Sequence, residues 1–175
     1  MEHEAHRHPV LISGLIALGI LARVVPHPWN ATPTMAIALF AGTYLSRRWS
    51  LIMPLAIVAV SDLALGWHTT IPFTWGAFLL TGVIAWWIRR APSASRVLGA
   101  ALAGSTLFFL VTNFGVWITQ DLYPRTPQGL WECYVAAIPF FRTALLGDLA
   151  YTTALFGGFA LATGGAWAGR TSPSR

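Results

Sequence analysis

Few side chains in this sequence could do chemistry inside an apolar interior, and they are unevenly placed. Between residues 10 and 168 the acidic groups are Asp62, Asp121, Glu132 and Asp148, and the only asparagines are Asn30 and Asn113. Asp62 and Asp148 stand within long apolar runs, where an ionised carboxylate costs roughly 2.5 to 3.5 kcal/mol even on the lenient insertion scale. Each must therefore meet a cation, a hydrogen-bond donor or a polar cavity. Two readings follow for both: a salt bridge to Arg23 or Arg142, or contact with a bound solute. A third, an aspartate dyad working as an intramembrane enzyme, lacks any accompanying motif. The chain has no lysine for a phosphate-binding loop, no HExxH and no GxSxG. It is accordingly read as non-enzymatic, with no cofactor and no metal site. His3, His6 and His8 are read as solvated tail residues, and Asn113 has an alternative role as interhelical glue.

What positions such groups is legible in the composition. Hydrophobic residues make up 55% of the 175 and charged residues only 10%, against roughly 25% charged in a soluble domain, and the mean hydropathy is +0.60. The expected fold class is all-α, a polytopic membrane protein with about six transmembrane helices in one compact bundle. At about 20 residues per span the length suits six helices and short loops. Cys133, the single cysteine, excludes an internal disulfide. The net charge of +5 is carried by arginines spread along the chain, without the basic and aromatic stripe of a nucleic-acid binder, so no nucleic-acid partner is expected.

The sequence divides into a tail at residues 1–9, a membrane domain at 10–168 and a second tail at 169–175. The first apolar run reads as a retained helix rather than a cleaved signal peptide, since Glu2 and Glu4 sit beside Arg7 in the region preceding it. Pro26 and Pro28 break the chain after it. Further helices are expected at 33–46, which is short for a span, and at 51–66, 73–88 and 97–118. A long connection over 119–142 then contains an apolar segment, 130–141, expected to lie at the interface or to act as a lid, before a last helix at 143–168.

Arginine placement sets the expected orientation, because short Arg-rich loops stay cytoplasmic. Arg47 and Arg48, then Arg89, Arg90 and Arg96, then Arg170 and Arg175 all fall on one side of a six-helix path. Both termini are thus expected in the cytoplasm, and the protein in a bacterial inner membrane. Asn30, Asp62, Asn113 and Asp148 then gather toward the outer face, with Arg23, His68, Tyr123 and Arg142. An outward-facing polar pocket explains this convergence. Trp29, Trp67, Trp75, Trp117, Trp131, Phe140 and Phe141 either wall that pocket or form an interfacial aromatic belt. Asn30 to Asp62 and Asn113 to Asp148 are spaced by 32 and 35 residues, a sparse echo of an inverted repeat. The expected substrate-binding set is Asn30, Asp62, Asn113, Asp148, Arg142, Tyr123 and Trp117.

Several stretches together carry a family resemblance: Pro28 through Pro33, Ser61 through Gly66, Asn113 through Trp117, Tyr123-Pro124, Ala137 through Phe141, and Gly147-Asp148-Leu149. Over about residues 24–158 the chain resembles a family of small, uncharacterised bacterial membrane proteins. That family is itself similar to the substrate-binding S components of energy-coupling factor transporters. The resemblance implies capture of a vitamin-like or metal solute from outside, with a separate transmembrane coupling protein and cytoplasmic ATPases as partners besides the lipid bilayer. The alternative is a non-transporting accessory or assembly subunit of a larger membrane complex, its outer charges locked in static salt bridges.

Overall fold

The computed structural model describes residues 2–26 and 31–164, and among them every regular element is helical. In chain order these are α1 (Glu2–Val24), α2 (Thr34–Phe40) running directly into a π-helical turn (Ala41–Leu45), α3 (Trp49–Leu65), α4 (Ile71–Arg90), α5 (Ala94–Thr119) and α6 (Pro127–Ala162). The all-α class expected from composition is what forms. Six spanning helices are not: α4, α5 and α6 are long and apolar enough to cross a membrane, while the apolar stretches Pro9–Val24, Thr34–Leu45 and Trp49–Leu65 are shorter.

The reason is clearest at α2. All seven of its residues are buried, so it is apolar on every side because protein surrounds it. Packed against α3, α4, α5 and α6, it needs no length of its own to reach two membrane faces. Even with the π-helical turn, the 12 residues Thr34–Leu45 extend only ~18 Å at 1.5 Å per residue, against a hydrocarbon core of about 30 Å. Phe40, Phe156 and Phe159 join α2 to α6, with ring centroids 5.4 Å and 5.2 Å from Phe40.

The other departure is at the C-terminal end of the sequence. The expected break between a connection ending near Arg142 and a last helix starting at Thr143 is absent, and residues 130–141 form the early part of one 36-residue helix. Thr126 caps it, accepting the Gly129 amide at 3.1 Å, and Pro127 occupies its first turn, where a missing N–H leaves nothing unsatisfied. Pro139 sits inside the helix without ending it. The proline lacks one backbone donor, and the surrounding apolar run sustains the remaining turns.

The two ends of the bundle differ in chemistry. At one, the turn after α2 meets the end of α4: Arg47 lies over the Trp86 ring, Arg89 donates to the Gly42 and Leu45 carbonyls, and Arg96 lies over Trp87. At the other, the α3–α4 connection meets the end of α5 through a Thr119–Thr69 hydroxyl bond of 3.2 Å. Close approach at the arginine end depends on small residues. A Cβ on Gly82 of α4 would collide with the Ser50 carbonyl of α3, and the Trp86 indole donates to the Ser50 hydroxyl at 2.9 Å.

Candidate functional site

A cavity of about 510 Å³ opens at the end of the bundle opposite the arginine turns, between α4, α5, α6 and the end of α1. Its rim holds exposed His68 and Leu122 and half-buried Tyr123, and its floor holds buried Ser105 and Asp148. The polar lining comes from Arg23, Thr74, Thr112, Asn113 and those rim and floor groups, while Phe108, Phe109, Phe140 and Phe141 supply aromatic wall. Phe109 and Phe141 lie 4.6 Å apart between centroids. A second cavity of about 210 Å³ shares Arg23, Phe108, Ala144 and Asp148 with the first. The two therefore meet at Asp148 and Arg23.

Asp62 and Asp148 end in opposite situations. Asp62 is buried and fully engaged: Arg23 Nη2 donates to Oδ1 at 2.8 Å and the Trp75 indole donates to Oδ2 at 3.0 Å. Arg23 Nε donates to Ser61 Oγ at 2.6 Å, and that hydroxyl passes its own proton to the Ile57 carbonyl at 2.8 Å. The ends of α1, α3 and α4 are tied by this cluster, and Asp62 neutralises Arg23. Asp148 has no cationic partner among the described residues. Its side chain touches Ser105 Oγ through Oδ2 at 2.6 Å, and Oδ1 takes no hydrogen bond from any described residue. Ser105 Oγ also lies 2.9 Å from the Ala101 carbonyl, so one hydroxyl proton faces two acceptors. Next to Asp148, a Cβ on Gly147 would strike Ala31, so the glycine lets α6 approach the start of the α2 region.

Of the residues expected to bind a solute, Asn113, Tyr123 and Asp148 come together at this cavity. Asp62 stands one step behind it, joined through Arg23. Trp117 is not part of the lining; its indole donates to the Pro124 carbonyl at 2.9 Å, which holds the segment beside Tyr123. Arg142 is exposed and outside the lining, and the ion pair open to it in the sequence is made by Arg23 instead. Asn30, with Trp29, lies outside the described residues. Trp67 and Trp131 are exposed rather than walling the cavity. Ser105, Thr74 and Thr112 escaped the sequence reading, because small hydroxyls in apolar helices give no signal until the facing helix is known.

An all-helical protein with three helices suited to a bilayer, and a polar-floored cavity at one end of the bundle, is the class that the fold and site define. Its family is one of unknown function: the model of DUF6580 matches residues 3–169, and the chain belongs to that family. No curated protein and no solved structure matches the chain.

Proposed function

We propose that this protein is a membrane-embedded solute-capture protein, which binds a small molecule in the cavity floored by Ser105 and Asp148. The observation that carries the reading is a buried carboxylate without a cationic partner among the described residues, facing about 510 Å³ of space. Small-molecule sites run from about 300 to 1,000 Å³ and combine apolar walls with a few convergent polar groups. A purely structural carboxylate would look like Asp62, with both oxygens used. The exposed apolar side chains of α4 to α6, such as Leu80, Leu110 and Leu161, fit lipid contact, since water-soluble monomers rarely expose large contiguous apolar patches.

In this reading the end carrying Arg47, Arg48, Arg89, Arg90 and Arg96 faces the cytoplasm, which the bias of short Arg-rich loops supports, and the cavity opens outward. Any transport would need an external driving force, supplied in the S-component-like reading by a membrane coupling protein and cytoplasmic ATPases. The Arg23–Asp62 pair favours the second reading, an accessory subunit held by static ion pairs. The test is mass spectrometry of small molecules released from protein purified in mild detergent, beside an Asp148→Asn variant. A compound retained by the wild type and absent from the folded variant is expected. Wild-type protein that releases nothing and stays unaffected by added solutes would favour the accessory reading.

A further inference from the structure

The polar groups at the floor of the cavity narrow the chemistry of an occupant. Thr74 and Thr112 both donate their hydroxyl protons to their own helix, to the carbonyls of Thr70 at 3.2 Å and Phe108 at 2.8 Å. What they offer the cavity is lone pairs. Asn113 donates through Nδ2 to the Phe109 carbonyl at 2.8 Å. That assignment is forced, because a carbonyl can only accept, and it leaves Asn113 its amide oxygen as an acceptor and one N–H as a donor. Asp148 adds Oδ1, which takes no hydrogen bond from a described residue. The one guanidinium among the described lining residues, Arg23, is already paired with Asp62 at 2.8 Å. Asp148 is therefore the carboxyl group of this cavity without a cationic partner among the described residues, and Phe108, Phe109, Phe140 and Phe141 line the same space.

We infer that the cavity selects a small organic cation carrying several N–H donors and a flat apolar part, an aromatic ammonium or amidinium compound, with the cationic group at Asp148. This rests on the solute-capture reading and adds the ligand's charge and shape to it. The ammonium group supplies the proton that Asp148 Oδ1 lacks. An ammonium also takes well to aromatic faces, and the ring packs against Phe109 and Phe141. A carboxylate ligand meets the reverse at that position, a group of like charge at Asp148.

Three probes of matched size separate the possibilities: 2-phenylethylamine, 2-phenylethanol and 3-phenylpropanoate, each titrated at up to millimolar concentration into wild-type protein in detergent by calorimetry. The amine is expected to bind at least about tenfold more tightly than the alcohol, and the carboxylate not at all, tenfold being at the low end of the coupling found between close charge pairs in binding interfaces. Asp148→Asn should remove the amine's advantage while the helical circular-dichroism signal is kept. Should that variant fail to fold, the ranking of the three probes on wild type still decides. Equal binding of amine and alcohol, or preference for the carboxylate, overturns the cation assignment and leaves solute capture standing. Binding of none of the three also overturns it, and with an empty protein by mass spectrometry removes the solute reading too.

Discussion

At the scale of single residues, two aspartates of equal sequence character are held in unlike ways, and the difference predicts unlike phenotypes. Asp62 lies under Arg23, with both side chains largely buried. Removing one partner of such a pair strands the other, at about 3 to 5 kcal/mol. Arg23→Met is therefore expected to lower stability by about that amount in denaturant or thermal unfolding. The double variant Arg23→Met, Asp62→Leu should recover most of the loss, because replacing both partners by apolar groups is often neutral. A double variant no more stable than the single one would show that the pair acts through something besides its mutual charge. For Asp148, with no cation among the described residues to strand, Asp148→Asn should change unfolding far less than Arg23→Met while changing solute retention. The sequence offered Arg23 and Arg142 equally to both aspartates, and no spacing rule chooses between partners 39 residues apart. Packing of α1 on α3 makes the choice.

At the scale of elements, the long last helix is the part most at odds with the sequence reading. Residues 130–141 are apolar but too few to cross a membrane alone, so the sequence favours a separate interfacial segment. The contradiction dissolves once they continue into the following 21 residues of the same helix. Pro139 and Gly147 look like punctuation, yet neither ends the helix. Spin labels at Trp131→Cys and Leu161→Cys, in a Cys133→Ala background, should report about 45 Å, the length of 30 residues at 1.5 Å each. A chain folded back near Arg142 gives a far shorter distance. By contrast, α4 and α5 were legible to within a few residues, since their apolar runs are bounded by Pro72, the arginines at 89 and 90, and the Ser93 cap. The helix-to-helix fit was not legible. Gly82→Val should destabilise by about 1 to 3 kcal/mol or more through its clash with the Ser50 backbone, while Gly76→Val, where nothing lies within 4 Å of the added carbon, should be near neutral.

At the scale of the whole molecule, the two ends of the bundle differ in chemistry, and on the solute-capture proposal that difference gives the protein a direction. Arginines stacked on Trp86 and Trp87 suit the boundary between hydrocarbon and an anionic leaflet, with the charge in water and the ring at headgroup level. The opposite end carries the cavity mouth, with His68, Leu122 and Tyr123. If the arginine end is cytoplasmic, a solute reaches Asp148 from outside without crossing the protein. The single native cysteine, Cys133, is buried, so a Cys133→Ala background allows one reporter thiol at a time. Leu122→Cys at the mouth should react with a membrane-impermeant maleimide in intact cells. Ser95→Cys, beside the arginine-rich linker, should react only after the cells are made permeable. The reverse pattern would turn the cavity toward the cytoplasm and end its interpretation as a capture site for external solutes, although the proposed preference for cations would stand. Labelling of both positions in intact cells would break the link between arginine placement and orientation on which the direction of capture depends.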